Sequence, residues 1–252
     1  MMKRRSFLKQ LSAAGAGVLS AGLRSHRGLP ALPQISSSSK NAKESMADVI
    51  IIGGGTGGCA AALAAARNGL RVILTEETDW IGSQLTQQAV PPDEHPWIES
   101  FGGTRSYREF RTRVRDYYRR NYPLTAEARA NPELNPGNGT VSKLCHEPRV
   151  ALAVLEEMLT PYVSGDSLTI LPRHKATSAE VNGDSVRAVI VRNLDTGTLL
   201  ALAGPLFIDA TEMGDLLPMT RTEYVVGFES QKDTHEPHAP SQPQPKNIQA
   251  FT

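Results

Sequence analysis

Residues 48–76, DVIIIGGGTGGCAAALAAARNGLRVILTE, constrain the fold more than any other part of this 252-residue chain. Residues 49–52 are a short β-branched run, the pattern of a strand buried on both faces of a parallel sheet. Residues 53–58 follow at once and include five glycines. Residues 59–67 are rich in Ala and Leu, strong helix formers with little bulk, and Gly69 ends the helix. Residues 71–75 read as a second strand, with Glu76 at its end. Strand, tight turn, helix and strand in this order make a βαβ unit, so the fold class is α/β with a parallel sheet.

The glycines fit GxGxxG as Gly53, Gly55 and Gly58, with Thr56 and Gly57 between the last two. Gly53 permits the tight turn, Gly55 lets the backbone approach a diphosphate, and Gly58 lets the helix pack close to the strand. The helix N-terminus then presents free N–H groups to phosphates. Glu76 lies about twenty residues beyond Gly55, where a carboxylate accepts ribose hydroxyls. GxGxxG alone is a weak signal. Here all five parts arrive in register, which predicts dinucleotide binding; the competing reading is a glycine-rich loop in a nucleotide-free α/β domain. Glu at the ribose position disfavours a 2′-phosphate and does not separate FAD from NAD. The continuation, TDWIGSQLTQQAVPPDEHP, does not settle into an ordinary second helix, and its Gly82, Ser83, Gln84 and Thr86 place small groups and amides where a flavin would lie.

These stretches resemble the two-dinucleotide-binding-motif flavoproteins, and more closely a family of FAD-dependent oxidoreductases with a Trp-Ile/Leu-Gly-Gly-Gln-Leu-Thr-like segment after the first acid. Some of its members are described as xanthan-lyase-like precursors. The matching residues are 48–76, 80–90, Phe101-Gly102-Gly103, 141–150 and 207–215. Ser83 stands where that family often has a second Gly. The resemblance implies FAD as cofactor, flavin contacts at Gly82, Gln84 and Thr86, and a turn carrying Asp209 and Asp215 packed against the FAD-binding half. For both aspartates the competing role is turn capping.

The remaining pattern agrees with a flavoprotein. Residues 104–120 predict a helix on the domain surface, with Tyr107, Phe110, Val114, Tyr117 and Tyr118 among charged residues. Residues 130–140 are a loop with Asn-Pro and Asn-Gly turn signals. Residues 147–158 predict a helix with Pro148 in its first turn. Strands are expected at 168–171, 176–182, 185–193 and 199–203, an antiparallel meander, followed by a parallel strand at 205–208. An NAD-dependent dehydrogenase would more simply continue with alternating strands and helices. The expected fold is thus a Rossmann-like FAD-binding domain with a parallel sheet and an antiparallel meander insertion, over residues 47–222. Residues 224–229 read as the first strand of a substrate or cap domain, so 223–252 are its incomplete start. The resembling flavoproteins are much longer, which predicts a truncated chain, self-association or a completing partner chain.

The side groups that assist chemistry are harder to read. Cys145-His146-Glu147 offers a thiol, an imidazole and an acid, but consecutive residues in an extended segment point in different directions, and a Cys–His pair needs hydrogen-bond reach and an orienting group. Cys145 and His146 are therefore weak catalytic candidates. Cys59 lies within the apolar helix pattern and reads as a small core residue. His174 at a strand edge reads as structural. His235 and His238 lie in a Pro-rich polar segment without a third ligand, so no metal site is assigned.

The N-terminus, MMKRRSFLKQ, bears on destination. The apolar run 10–23 is short and rich in Gly, Ala and Ser, whereas a spanning helix needs about 20 apolar residues; no permanent membrane anchor is expected. A basic head before such a run fits a signal peptide, and the order Lys3-Arg4-Arg5-Ser6-Phe7-Leu8-Lys9 resembles the twin-arginine signal read by a bacterial export receptor. Lys3 replaces the usual Ser or Thr. The competing readings are an ordinary secretory signal and a basic tail. Residues 1–28 are read as the signal and 29–46 as a linker, leaving about 210 residues for one sizeable core. The first 35 residues hold six of the 27 basic residues and none of the 26 acidic ones, so the remainder has a net charge of −5. No basic cluster suits a phosphate backbone, which argues against nucleic acid. Export in the folded state suits a protein that loads a noncovalent dinucleotide first, and the expected location is periplasmic or extracellular.

The leading expectation is an FAD-dependent oxidoreductase that passes two electrons between a small organic or sugar-like substrate and flavin. The rivals are an NAD-dependent dehydrogenase, an enzyme of another class with vestigial flavin binding, and a non-catalytic exported dinucleotide-binding module.

Overall fold

The computed structural model describes residues 42–248. The twin-arginine segment 1–28 and most of the linker lie outside the described residues. Those described all belong to one compact unit, Pro33–Thr252.

Two four-stranded sheets organise the described residues. The first is wholly parallel and contains β2 (Val49–Ile52), β3 (Val72–Thr75), β4 (Leu168–Leu171) and β8 (Leu206–Asp209), in the order β4-β3-β2-β8. The second contains β1 (Lys43–Met46), β5 (His174–Asn182), β6 (Ser185–Asn193) and β7 (Leu199–Ala203), in the order β1-β7-β6-β5. Strands β5, β6 and β7 form the expected antiparallel meander, and β1 joins its edge parallel to β7. Strand β1 corrects the linker reading: KESM is polar at its start, and only the open edge of β7 makes it a strand.

The central strands β2 and β3 are buried on both faces, which is why they read as unbroken apolar runs. Val49, Ile51, Val72 and Leu74 face one core, packed by α1 (Thr56–Arg67), α2 (Arg105–Asn121) and α4 (Pro148–Ser164). Ile50, Ile52 and Ile73 face the other core, with Val189, Val191 and Leu202 of the meander. The result is three layers, with helices, parallel sheet and meander in that order. In α1 the buried residues Cys59, Ala62, Leu63 and Ala66 recur at helical spacing, and Gly69 follows its end with φ +78. Cys59 is a core residue, as expected. Burial, and secondarily the charge of Glu76, push its thiol up to about 12. Cys59 is therefore expected to remain unmodified by iodoacetamide at pH 8 in the native protein and to react once denaturant is added, as peptide mass mapping would show.

Thr104 caps α2 by accepting from the Tyr107 N–H at 3.2 Å. This helix lies at the domain surface as expected, with Arg105, Arg108, Thr112 and Arg120 exposed, but two of its arginines are buried. Arg111 and Arg115 are only 3% and 7% exposed. Arg111 donates to Glu94 and Glu99, and Arg115 donates to Glu99 at 2.6 Å and to the Leu134 carbonyl at 2.9 Å. Both acids come from the loop after residue 90, so the helix clamps that loop. A short helix α3 (Ala126–Ala130) precedes the expected loop. After β8 come two more short helices, α5 (Leu216–Thr220) and α6 (Gln231–Thr234).

The strand expected at 224–229 is also corrected. Residues 224–229 are not a strand; Phe228 makes one isolated bridge, to Gln244. The run is apolar enough for a strand, but no neighbouring strand among the described residues supplies a ladder.

Candidate functional site

The order β4-β3-β2-β8 places a change of direction between β2 and β8. The chain leaves β2 through α1 to β3 on one side, and returns much later to β8 on the other. At such a switch point, beyond the carboxyl ends of the strands, open α/β sheets bind ligands. A crevice of about 170 Å3 lies there, lined by Gly53, Gly55, Thr75, Glu76, Ser83 and Glu212 among others.

The glycine turn is built as its motif requires. A Cβ on Gly53, whose φ is +101, would lie 2.3 Å from the Ala210 carbonyl oxygen, and one on Gly58 would lie 1.9 Å from that of Gly53. Both contacts are with backbone, so no side chain can move aside. Gly55 is the N-cap of α1; no side chain caps this end, and no acidic residue stands in its first turn. The first-turn N–H groups thus have neither an intrahelical partner nor a countercharge from the helix itself. The Thr56 hydroxyl is turned away to donate to the Gly82 carbonyl at 3.0 Å. Gly57 is open to solvent, with nothing near a would-be Cβ.

Glu76 is only 7% exposed. Its Oε2 accepts from the Gly54 N–H at 3.1 Å and its Oε1 from the Thr78 N–H at 2.7 Å. Each carboxylate oxygen retains a further lone pair, so the group both pins the glycine turn and can accept from ribose hydroxyls.

The next segment seats on this turn. The Gly82 N–H donates to the Gly54 carbonyl at 2.8 Å, and Gly82 has φ +101. Thr86 is fully buried, its hydroxyl donating to the Ile81 carbonyl at 2.7 Å. Gln84 is half-buried, and its carbonyl accepts from the Val90 N–H at 3.2 Å. Gly82, Gln84 and Thr86 do not line the crevice, whereas Ser83 and Gln87 do.

Asp209 and Asp215 occupy different positions. Asp209 Oδ1 accepts from the Thr211 N–H and hydroxyl at 3.0 and 2.7 Å, and its Oδ2 accepts from the Leu216 N–H at 2.9 Å. It ties the turn after β8. Asp215 lines the crevice, as do Thr211, Glu212, His174 and Lys175. Sequence reading missed the functional placement of Glu212 and Lys175, because each reaches the crevice only when the β8 turn and the meander fold onto the parallel sheet.

Cys145 and His146 lie elsewhere, beside a cleft of about 780 Å3 with Tyr118, Tyr122, Asn135 and Glu147. The Cys145 thiol donates to the Ser142 carbonyl at 3.7 Å. His146 Nδ1 lies 3.2 Å from the Glu147 carbonyl oxygen, its Nε2 has no partner, and its ring packs edge-on to Phe110. The Glu147 carboxylate accepts from the Tyr122 hydroxyl. The three residues therefore direct their side-chain chemistry to three different partners. Burial lowers the pKa of His146.

A parallel sheet with a glycine turn, an uncapped helix N-terminus and a strand-end acid at its switch point defines a dinucleotide-binding α/β protein of the Rossmann type. The uncapped amides, the bare turn and the spare lone pairs of Glu76 fit the ADP half of such a cofactor. The chain belongs to the FAD dependent oxidoreductase family, whose model matches residues 48–251.

Solved structures with a similar arrangement include Mycobacterium smegmatis Sdh1 in complex with UQ1, at 12% identity and TM-score 0.45, covering 67% of this chain and 34% of that one. Another is the glycerol-3-phosphate dehydrogenase from Bacillus halodurans complexed with FAD, at 15% identity and TM-score 0.44, covering 78% and 44%. A third is the rebeccamycin biosynthetic enzyme RebC with reduced flavin, at 23% identity and TM-score 0.44, covering 69% and 34%. The chain matches less than half the length of each of these three proteins. No curated protein sequence matches it.

Proposed function

We propose that this chain binds FAD and serves as an FAD-dependent oxidoreductase, passing two electrons between a small organic substrate and the flavin. The observation that carries this reading is the switch-point crevice, where the uncapped end of α1, the bare Gly53–Gly55 turn and Glu76 converge. In the proposed complex the amides at Gly55, Thr56, Gly57 and Gly58 receive the diphosphate and Glu76 accepts from the ribose. Gly82, Gln84 and Thr86 hold the segment that brings Ser83 and Gln87 to the crevice on the flavin side, and Asp215 stands at the crevice wall. Bound flavin supplies the redox chemistry, and the protein binds, orients and tunes it. Cys145 and His146 are kept as candidate substrate-side groups because they border the second cleft.

The sugar-like character of the substrate rests on the family resemblance alone. Export in the folded state through the twin-arginine receptor, to the periplasm or beyond, rests on residues 3–9. Among the described residues no helix is long and apolar enough to cross a membrane. Self-association or a completing chain is proposed on the apolar residues left exposed at the β8 edge and beyond, including Leu206, Met213, Val225 and Phe228.

The test is a titration of the purified full-length chain with FAD and, separately, NAD. One FAD per chain with a flavin absorbance spectrum is expected. Glu76→Gln, checked for an unchanged circular dichroism spectrum, is expected to weaken FAD binding about tenfold, the scale of one lost charge-assisted hydrogen bond. Tighter binding of NAD than of FAD, or the absence of any bound flavin, would overturn the reading.

A further inference from the structure

Two residues far apart in the chain meet across the crevice. The Ser83 hydroxyl donates to Glu212 Oε1, and the Gln88 side-chain amide donates to the same Ser83 oxygen at 2.9 Å. Both partners stand over Gly55. A Cβ built there would lie 3.2 Å from Ser83 Cβ and 3.4 Å from Glu212 Oε1. This is the space that the middle glycine of the motif keeps open for a diphosphate.

Ser83 is held to this position. It is 7% exposed and has φ +45, directly after Gly82 at φ +101, two successive left-handed residues of which only one is glycine. A non-glycine residue in that region persists only where its surroundings hold it. Glu212 has the opposite character. Its side chain is exposed, and it projects from a turn anchored independently by Asp209. Rotation of the Glu212 side chain alone therefore breaks the contact and leaves the sheet intact. The crevice of about 170 Å3 is also smaller than ligand pockets, which run from about 300 to 1,000 Å3. A carboxylate beside a diphosphate is a like-charge pair whose repulsion grows as water is excluded.

We infer that Ser83 and Glu212 form a strap across the dinucleotide crevice, and that the strap must open before a diphosphate can rest on Gly55. The pair thereby controls the rate and affinity of cofactor entry. This inference rests on the FAD reading above and assigns a gate to the same site.

The experiment follows FAD association with the full-length chain by stopped-flow quenching of flavin fluorescence. It compares wild type with Ser83→Ala, Glu212→Ala and the double variant, and measures amide hydrogen exchange over residues 210–215 before FAD is added. Glu212→Ala removes both contact and charge and is expected to speed association and tighten binding about tenfold. Ser83→Ala removes the contact and leaves the Glu212 charge in place, with an expected gain of about threefold. The double variant is expected to match Glu212→Ala, because each change breaks the same contact. Exchange over 210–215 is expected to stay unchanged in every variant, because Asp209 anchors that turn independently of the strap. Unchanged or slower FAD association in variants that still bind FAD would overturn the strap alone; so would weaker binding by Glu212→Ala, which would make Glu212 a cofactor contact. Absence of FAD binding in every form, with exchange over 210–215 unchanged and the fold therefore intact, would overturn the dinucleotide reading and the role in cofactor entry with it.

Discussion

Gly58→Ala is expected to lower stability by about 3 kcal/mol and the melting temperature by roughly 6–12 °C, and to weaken FAD binding more than tenfold. The added methyl would lie 1.9 Å from the Gly53 carbonyl oxygen and 3.3 Å from Leu74 Cδ1. The first of these is backbone at the turn itself, so relief requires α1 to move off β2. That movement misplaces the first-turn amides that face the crevice. Gly57→Ala is the matched control. Its methyl meets nothing within 4 Å, and replacing a helical glycine by alanine is expected to be neutral or to stabilise by about 0.5–1 kcal/mol. Thermal melts and flavin titrations of the two variants check both statements. Equal losses for both would show that the close packing of α1 on β2 is not what the glycine serves.

Arg111→Met is expected to cost about 3–5 kcal/mol, because removing one partner of a buried ion pair leaves the other charge uncompensated. The Glu94 side chain is only 3% exposed, and its Oε2 already lacks a partner. After the substitution Glu94 keeps only the Tyr107 hydroxyl, which donates to its Oε1 at 2.6 Å. Arg113→Met is the comparison, since its ion pairs with Glu109 and Glu157 are partly solvated; a loss of under about 1 kcal/mol is expected there. Urea midpoints of the two variants measure the contrast. The cluster also has a pH signature. Burial opposes the charge on Glu99, but hydrogen bonds from Arg115 and Arg111 outweigh it, so its pKa falls below the usual 4.5. Its folded value is then the depressed one. The stabilisation is complete above the unfolded value and is lost as pH falls through the folded one. Removing Arg111 is expected to flatten the loss of stability below pH 4.5.

The glycine turn was legible because its signal is local. A β-branched run, five glycines, an alanine-rich helix and a strand-end acid are consecutive, and each has its own steric reason. The meander was legible for a similar reason: short apolar runs with Gly183 at φ +58 and Gly197 at φ +73 in the turns mark it without knowledge of its neighbours. The arginines of α2 were not. RSYREFRTRVRDYYRRN carries enough charge to read as solvated, and nothing within it distinguishes the buried Arg111 from the half-exposed Arg113. The distinction comes from Glu94 and Glu99, which arrive on an irregular loop. Strand β1 was missed because a short polar segment becomes a strand only when an open sheet edge accepts it. Residues 224–229 were misread for the reverse reason, a strand-like composition without an edge to join.

The sequence by itself determined the βαβ unit, its bare turn, the helix N-terminus and the position of Glu76, since backbone sterics and short-range periodicity act between residues close in the chain. Only the tertiary structure decided that β8 pairs with β2 and opens the crevice, that Glu94 and Glu99 neutralise Arg111 and Arg115, and that Glu212 meets Ser83 over Gly55. Each of these contacts joins segments far enough apart that their order in the chain carries no record of the meeting. They form where burial of the central strands β2 and β3 on both faces brings the segments together.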